Sequence, residues 1–551
     1  MKKSNIKALA TLALATPMVA CNKAERQPNV VLFLIDDMGW MDSSVCFGEE
    51  QYPNNLLIHT PNMARMAEQG AIMTSAYTCT TSSPTRNAIM TGQNSALSRH
   101  TLYGAKYKDM PNDGGGKIEV LANDVLVPIA DWNYNGVDPT GVTNNAVHVT
   151  PFPQLLKDDG YYTIHVGKAH WAPGGTPAAS PLNMGFCVNV AGQIVGRPNS
   201  YYGEDNYGNK EELWSLHATH NMAEYYGTNT HLTDALTLEA LKTLEYPIDN
   251  DIPFFLSLCH HGVHTPIQSD PRFVQKYIDA GMDTQAAAYA SLVEGVDKSL
   301  GDLMDYLEAK GVADNTLIIL LSDNGGESVD PQKGGIKNHQ NAPLREGKGS
   351  VYEGGIRVPM IACWGDKIAA GTRLNTPVLA EDIFPTILEA AGIDSYETPQ
   401  RVDGQSLVRL LTRGSYAAKR AVESGKVTSQ REQNRYVVSA RVSGIDPERE
   451  VLQHFPHQRR PEVNVDIDYM TSLRKGDWKL VYRHRTQELE LYNLADDLSE
   501  QHNLAGEQPE KLREMAKDMT RNLKERDAQM PTIRATGKPV PMPDEVAKAN
   551  I

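Results

Sequence analysis

Four short apolar runs along the chain predict strands that are buried on both faces. They show no regular alternation with polar residues, which is the pattern of a parallel sheet covered on both sides. Each run is too short for a long helix and is rich in Val, Ile, Leu, Phe or Tyr. The four runs are 30–35 (VVLFLI), 162–166 (YTIHV), 253–258 (PFFLSL) and 316–321 (TLIILL).

Helical patterns lie between these runs. Thr60 can cap a helix that has Pro61 at its first position and ends at Gly70. Apolar residues recur at helical spacing over 286–307, and a shorter helix is expected over 382–391. Strands that alternate with helices predict an α/β fold, in which a mostly parallel central sheet is flanked by helices.

The pattern changes after about residue 412. Short strand-like runs occupy 469–492, and a charged helix is expected over 510–527. These elements predict a smaller α+β subdomain, although the polar stretch after 412 leaves its boundary soft. The predicted division is a signal segment over 1–20, an N-terminal domain over 27–412 and a C-terminal subdomain over 413–551.

The N-terminus has the pattern of a targeting segment. Two lysines precede an apolar run over 8–20 that is too short to span a bilayer as a helix. The run leads into Met18-Val19-Ala20-Cys21, which resembles a bacterial lipobox, although Met stands where Leu is usual. We predict lipidation of Cys21; ordinary cleavage and secretion is the alternative. No other segment has a transmembrane pattern, so any membrane attachment is expected through this lipid.

Composition and charge limit the kinds of molecule that the protein is expected to bind. The chain has 551 residues, of which 40% are hydrophobic and 22% charged, an ordinary balance for a globular protein. A formal net charge of −15 argues against nucleic acid, which requires basic surfaces. It does not exclude an anionic substrate, because a local cluster of cations can bind an anion inside an acidic protein.

The five cysteines beyond Cys21 predict no zinc site. None of them forms a C-x-x-C pair, the spacing typical of structural zinc. Cys259 lies in an apolar run and is expected in the core. One disulfide in an oxidising compartment stays open, and the sequence does not assign it.

Two of the buried runs end in oxygen ligands. Asp36 and Asp37 follow the first run, and Asp323 and Asn324 follow the last, after Ser322. Ligands in open α/β sheets lie beyond the carboxyl ends of the strands. Three carboxylates and an amide that converge there predict a site for a hard cation such as Ca²⁺ or Mg²⁺. The alternative is that these residues only form turns.

Ser82 lies at the expected start of another helix. Pro84 favours a first-turn position, and Gly92 is a stop signal. We expect Ser82 just before the helix N-terminus, where backbone N–H groups and the helix dipole favour an anion. A serine in this place is usually only a cap, so its chemistry depends on its neighbours.

Those neighbours carry a family resemblance. The segment Ser82-Ser83-Pro84-Thr85-Arg86, running into Thr91-Gly92, resembles the signature of the type I sulfatases. In that family, the first residue of the signature is oxidised to formylglycine (3-oxoalanine), whose hydrated form attacks sulfur. A serine there implies the radical-SAM maturase of anaerobic bacteria. Cys79 lies three residues early and lacks the proline two positions on.

Further segments resemble the same family in the same order, over about residues 28–505. The resemblance implies an alkaline-phosphatase-like fold and a sulfuric ester hydrolase. Single matches are weak, but their joint order is highly specific. The segments are 29–39 (NVVLFLIDDMG), 167–170 (GKAH), 264–266 (HTP), 322–325 (SDNG), 345–359 (REGKGSVYEGGIRVP) and 491–494 (LYNL) with Glu500 and 503–504.

The resemblance also implies a role for each site residue. Asp36, Asp37, Asp323, Asn324 and the oxidised Ser82 would hold one cation, with Ca²⁺ expected ahead of Mg²⁺. Arg86 and Lys168 would polarise the diol, and Lys348 would grip sulfate oxygens. His264 would donate a proton to the leaving alcohol, and His170 would take a proton when sulfate is expelled.

Other histidines have no role in this resemblance. His165, His260 and His261 are expected to support the site or lie on the surface. The segment 454–457 (HFPH) is treated as a loop, with a substrate subsite as the alternative.

The expected substrate is a sulfated carbohydrate, with galactose or N-acetylgalactosamine sulfate favoured. The expected location is the periplasm or outer cell surface of a Gram-negative anaerobe. One alternative is a phosphomonoesterase or phosphodiesterase of the alkaline phosphatase superfamily, but those enzymes usually bind two metals. Another is a surface lipoprotein that binds sulfated glycans with Ser82 unoxidised. The presence of every expected catalytic group argues against the second alternative.

Overall fold

The computed structural model describes residues 26–102, 125–127, 133–213, 215–328, 340–458 and 467–549. The predicted signal segment and Cys21 lie outside these ranges. Among the helices in them, none combines the length and the apolar character that a bilayer crossing requires. The strands are β1 (Asn29–Ile35), β2 (Ala71–Met73), β3 (Ala76–Tyr77), β4 (Leu126–Val127), β5 (Val137–Asp138), β6 (Val147–His148), β7 (Tyr162–Gly167), β8 (Val188–Val190), β9 (Phe254–Cys259), β10 (Thr316–Ser322), β11 (Met360–Cys363), β12 (Thr372–Leu374), β13 (Val378–Leu379), β14 (Glu450–Gln458), β15 (Asp468–Lys475), β16 (Trp478–Arg483), β17 (Glu488–Asn493), β18 (Thr532–Ile533) and β19 (Lys538–Pro539).

The α-helices lie mainly between strands of the central sheet and after the last strand of the C-terminal sheet. They are α1 (Pro61–Gln69), α2 (Ser82–Thr91), α3 (Ser95–Ser98), α4 (Phe152–Asp158), α5 (Leu232–Asp249), α6 (Val274–Asp279), α7 (Thr284–Ala309), α8 (Glu353–Ile356), α9 (Ile383–Ala390), α10 (Ser415–Glu423), α11 (Gln430–Arg435), α12 (Ala440–Ser443), α13 (Pro509–Glu525) and α14 (Pro543–Ala549).

An eight-stranded, mostly parallel sheet forms the centre of the molecule. Its order is β12-β2-β11-β10-β1-β9-β7-β8, and only β11 runs antiparallel to its two neighbours. The four predicted strands are confirmed as β1, β7, β9 and β10. In β1, Asn29 pairs with Thr316 and Ile35 with Ser322, so β1 and β10 end at the same level. The side chains that follow these two strands are therefore neighbours.

Helices cover both faces of this sheet, which confirms the predicted α/β architecture. Alternate residues of β1 point to opposite sides because strand side chains alternate. Val30, Leu32 and Leu34 join the core beneath α2, α4 and α9, whereas Val31, Phe33 and Ile35 join the core beneath α1, α5 and α7.

The helices begin and end near the residues that the sequence predicted, with a difference at Thr60. The predicted helix over 286–307 lies within α7, whose N-terminus is capped by the Asp283 carboxylate. Thr60 occupies the N-cap position of α1, but its side chain caps no helical N–H group. Its hydroxyl accepts instead from the backbone N–H of Ser44 at 2.7 Å, so this side chain fastens a loop to the helix.

A small antiparallel sheet, β14-β15-β16-β17, forms the C-terminal part with α13 packed against β15 and β16. The expectation that 454–457 forms a loop is wrong, because this segment lies in β14 and pairs with β15. Pro456, which has no N–H to donate, sits where the pairing register shifts between Phe455 and Gln458, and this irregularity tolerates it.

The stretch after residue 412 contains α10, α11 and α12. Ala418, Val438 and Ile445 from this stretch belong to the same core as the central sheet. The domain boundary at 412/413 stays a prediction. Within the described ranges, the cysteines form no disulfide: Cys46, Cys79, Cys187, Cys259 and Cys363 are all free.

Candidate active site

The predicted site residues lie at the carboxyl edge of the central sheet. Strand ends supply most of them, because β1, β7, β9 and β10 are parallel and end near one another. The first turn of α2 and the loop before α8 supply the rest. After β1 come Asp36 and Asp37, after β7 Lys168 and His170, after β9 His264, after β10 Asp323 and Asn324, with Ser82 and Arg86 on α2 and Lys348 in the loop.

Ser82 is the first residue of α2, one position further into the helix than the sequence predicted. Its hydroxyl lies 3.0 Å from Asn324 Oδ1 and 3.3 Å from Asp36 Oδ1. Every residue of α2 is buried, and the helix ends at Gly92 in a left-handed conformation (φ 70°). A rigid, buried helix therefore presents the Ser82 hydroxyl to the oxygens that follow β1 and β10.

Three carboxylates and three cations surround this hydroxyl in buried pairs. Arg86 binds Asp323 Oδ2 through Nε at 2.9 Å. Lys168 Nζ lies 2.7 Å from Asp36 Oδ1. Each charge is thus compensated inside the protein, as a buried ion requires. The third pair joins Lys348 Nζ to Asp37, at 2.6 and 2.8 Å from its two oxygens.

The donor set fits a hard divalent cation. Asp36 Oδ2 is buried and has no hydrogen-bond partner among the described residues. Asp36, Asp37 and His264 carry ligand atoms that lie within 4.8 Å of one another. Carboxylate and amide oxygens are the ligands that Ca²⁺ and Mg²⁺ prefer, so the chemistry of Asp323 and Asn324 is also suitable.

The local charges move the pKa values of these carboxyl groups in opposite directions. Burial raises the pKa of Asp36 well above its usual value, and the charge of Lys168 offsets this only in part. Burial also opposes ionisation of Asp37, but Lys348 and Lys168 outweigh it and lower its pKa. Asp323 behaves like Asp37, because Arg86 lowers its pKa. The added charge of a bound cation would favour the ionised form of all three.

His264 and His170 both lie near the buried lysines of the site. His264 Nε2 lies 3.4 Å from Asp37 Oδ2, and 16% of its side chain is exposed. Burial and the nearby charges of Lys348 and Lys168 hold its pKa well below the usual value. Burial and Lys168 have the same effect on the pKa of His170, whose Nδ1 has no partner within the described residues.

Tyr201, for which no sequence pattern was a signal, supports the segment that carries His264. Its buried hydroxyl lies 2.7 Å from the His261 carbonyl oxygen and 2.8 Å from that of His264.

The loop after β10 approaches α8 closely, and the glycine at position 325 is a sequence signal for such an approach. A Cβ at Gly325 would lie 1.8 Å from the Gly354 oxygen, so only glycine lets the loop after β10 touch α8.

The remaining histidines of the core are buried, so none of them is a surface residue. His165 bonds to Gly167 and His260 to Ser299, whereas both ring nitrogens of His261 are without a partner in the described ranges. In β14, His454 bonds to Thr471 and His457 to Thr101.

The central sheet carries an acidic cluster, buried cations and a helix-borne hydroxyl at its carboxyl edge, an arrangement suited to a hydrolase that acts on an anionic ester. The family model described as Sulfatase matches residues 28–393, so the chain belongs to the sulfatase family. Its reaction is the hydrolysis of sulfate esters.

Relatives and solved structures agree with this assignment. A sulfatase of Formosa agariphila is 28% identical over 549 residues, covering 90% of this chain and 88% of the relative. The N-acetylgalactosamine-6-sulfatase of Mus musculus is 28% identical over 402 residues, covering 71% and 67%. The crystal structure of Ps i-CgsB superposes with a TM-score of 0.64 at 25% identity, covering 92% and 94% of the two chains.

Proposed function

We propose that this sulfatase removes sulfate from a carbohydrate by means of formylglycine made from Ser82 and one divalent cation, Ca²⁺ ahead of Mg²⁺. One observation carries the proposal. The Ser82 hydroxyl lies at the N-terminus of a buried helix, 3.0 Å from Asn324 Oδ1 and 3.3 Å from Asp36 Oδ1. In its hydrated aldehyde form this residue would supply a hydroxyl for attack on sulfur.

The cation would be held by Asp36, Asp37, Asp323 and Asn324. When bound, it would supply positive charge that stabilises anionic oxygens of the nucleophile and of sulfate. Arg86 and Lys168 are fixed by buried ion pairs and orient the side chain at position 82.

Lys348, His264 and His170 act on the substrate in this proposal. The Lys348 ammonium, at the edge of the charge cluster, binds a sulfate oxygen. The negative charge of the bound sulfate ester would offset Lys348 and Lys168 and favour the protonated ring of His264, whose Nε2 then donates a proton to the leaving alcohol oxygen, which departs slowly without one. The His170 imidazole takes a proton in the second step, when sulfate is released.

The carbohydrate part of the proposal is supported by the relatives. The mouse relative is an N-acetylgalactosamine-6-sulfatase, so a galactose or N-acetylgalactosamine sulfate is the first substrate to test. The N-terminal lysines, apolar run and Cys21 support export with a lipid anchor to the periplasm or outer surface. The encoded serine requires a radical-SAM maturase in the producing cell.

Peptide mass spectrometry on the native protein tests the nucleophile. The Ser82 peptide is expected to be lighter by two hydrogen atoms than the encoded peptide, and to react with an aldehyde probe. Active enzyme with unmodified Ser82 would contradict the formylglycine mechanism.

Turnover and metal analysis complete the test. The enzyme should cleave an aryl sulfate in preference to the matching aryl phosphate, and chelation should remove activity that Ca²⁺ restores. Ser82→Ala should lose turnover and keep its thermal midpoint. A preference for the phosphate would instead indicate the phosphatase alternative.

A further inference from the structure

Arg197 is a partly buried arginine without a partner. Among the described residues it forms no hydrogen bond or ion pair. Burial alone lowers the pKa of its guanidinium, and no carboxylate raises it again. A half-buried guanidinium keeps part of its hydration, so the lack of a partner leaves the donors of Arg197 available to an anion from outside the chain.

The backbone beside Arg197 packs against the candidate catalytic residue His170. A Cβ at Gly196 would lie 2.7 Å from His170 Cε1 and 3.2 Å from both ring nitrogens. Gly196 thus covers the imidazole ring, and consecutive Cα atoms are about 3.8 Å apart. The Cα of Arg197 therefore lies next to the residue whose backbone contacts the His170 ring.

The segment that carries Arg197 is fastened at both ends to the site. On one side, the Gln193 carbonyl oxygen accepts from the His170 backbone N–H at 3.1 Å. On the other side, the Tyr201 hydroxyl contacts the His264 carbonyl oxygen, and its N–H donates to Gln268 Oε1 at 2.7 Å. Arg197 therefore lies on a held segment between the two histidines.

The proposed reaction assigns roles to three other cations of the site and none to Arg197. Lys168, Lys348 and Arg86 are each paired with a carboxylate of the cluster. These groups and the proposed divalent cation would bind the sulfate group that is cleaved. Arg197 offers a separate, planar, bidentate donor, which suits a sulfate or carboxylate at a second position.

We infer that Arg197 binds a second anionic group of the substrate, a sulfate or carboxylate that is not cleaved, on the sulfated sugar or its neighbour. This inference rests on the proposed function and narrows its substrate class to sugars with at least two anionic groups. Such a contact gives specificity, because an analogue without the anion loses a charge-assisted hydrogen bond to Arg197.

Paired substrates test the inference. Galactose and N-acetylgalactosamine monosulfates are compared with the corresponding disulfates, and a hexuronate-linked disaccharide sulfate with the same disaccharide reduced at the carboxyl group. Wild-type kcat/KM should be about 10- to 100-fold higher for the dianionic member of one pair. The pair that shows the difference identifies the second anionic group as a sulfate or as a carboxylate.

Variants then assign the preference to Arg197. In Arg197→Gln the ratio of the two kcat/KM values should fall to about one, mainly through KM, and Arg197→Lys should keep part of it. Arg513→Gln, an exposed arginine on α13, is the matched control and should keep the wild-type ratio. Thermal midpoints establish that all three variants are folded.

Each result has a definite consequence. An equal ratio in wild type and Arg197→Gln, or no wild-type preference in any pair, would overturn the inference and leave the proposed function intact. If the enzyme cleaves aryl sulfates but none of the sugars, the carbohydrate proposal fails and the inference fails with it. If no sulfate ester is cleaved, the mechanism itself is in doubt.

Discussion

The side chains around Ser82 differ in how cleanly a substitution can test them. Arg86, Lys168 and Lys348 are buried partners of carboxylates, so removing one leaves an unpaired buried charge. Such changes cost about 3–5 kcal/mol of stability and confuse a loss of fold with a loss of chemistry. His264 is partly exposed, and its proposed task concerns only the leaving group. It is the better residue for a kinetic test.

His264→Ala should slow the enzyme according to the leaving group. With a sugar sulfate, whose alcohol is a poor leaving group, kcat/KM should fall about 10²- to 10⁴-fold. With a nitrophenyl sulfate, the loss should be about tenfold or less, because that phenolate leaves without a proton. Turnover across a series of leaving groups measures this. His502→Ala, whose side chain is 83% exposed, is the control, and an equal loss on all substrates would contradict the role.

Asp42 predicts a pH effect on stability. Burial raises its pKa from 3.8 to about 7, although it accepts from Tyr289 and Gly39. Between these pH values, the folded state keeps a proton that the unfolded state has lost, so this group destabilises the fold as pH rises from about 4 to 7.

Asp42→Asn removes this titration. Its free energy of unfolding relative to wild type should rise by about 2–4 kcal/mol between pH 4 and pH 8. Thermal midpoints of both proteins across this range check the sign. A difference that does not vary with pH would show that Asp42 is ionised in the folded protein throughout.

Strands and loops contribute unequally to the site. Parallel strands fix Asp36, Asp323 and Lys168 at one edge, whereas the loop around Tyr201 sets the position of the segment that bears His264. The loop is held by an isolated bridge between Tyr202 and His231 and by a hydrogen bond from the Leu232 N–H to the Tyr201 carbonyl oxygen. From this held position the Tyr201 hydroxyl contacts the His264 carbonyl oxygen and so affects the direction of the proposed proton donor.

Tyr201→Phe should lower kcat on sugar sulfates about tenfold, with a change in KM of about threefold or less, because the donor is less well aligned. Nitrophenyl sulfates should be affected less. Tyr207→Phe is the matched control, since its buried hydroxyl bonds instead to the Thr230 carbonyl oxygen. If both variants lose activity equally on every substrate, Tyr201 has only a structural role.

The strand pattern predicted the cation cluster because apolar runs end at Asp36 and Asp323, and parallel strands bring such ends together. The helix signals around Pro84 and Gly92 placed Ser82 near a helix N-terminus, but its expected role came from the resemblance to the sulfatase signature. Tyr201 and Arg197 could not be predicted, because their positions depend on how an irregular loop folds beside His170 and His264. The strand at 454–457 was missed because Pro456 interrupts the pattern, and only tertiary pairing shows that a register shift accommodates it.

On the scale of the molecule, buried charges join the C-terminal sheet to the catalytic core. Lys479 on β16 lies 2.9 Å from Glu353 of α8 and 2.8 Å from Glu500. The Glu353 N–H donates to Glu500 Oε2 at 2.7 Å. These contacts reach the segment that carries Lys348, so the two parts are expected to unfold together.

Lys479→Met should destabilise the protein by about 3–5 kcal/mol, because it leaves Glu500 buried without its cation, whereas Glu353 keeps its pair with Arg357. Adding Glu500→Gln should recover part of the loss. Lys475→Met on the neighbouring strand removes a partly exposed pair with Asp518 and should cost about 1 kcal/mol or less. Chemical unfolding monitored by fluorescence measures the stability of all three variants. Equal losses of stability in the Lys475 and Lys479 variants would contradict the predicted coupling of the C-terminal sheet to the core.

The complete burial of α2 sets an order of events. Ser82 is 3% exposed and the whole helix is enclosed, so a maturase active site cannot reach its side chain in the finished fold. The proposed conversion of Ser82 would then happen on a nascent or unfolded chain, before the central sheet closes over the helix. If the protein is exported as proposed, the cell would have only the interval before export and folding for this chemistry. Molecules that fold first would accumulate as intact but inert protein.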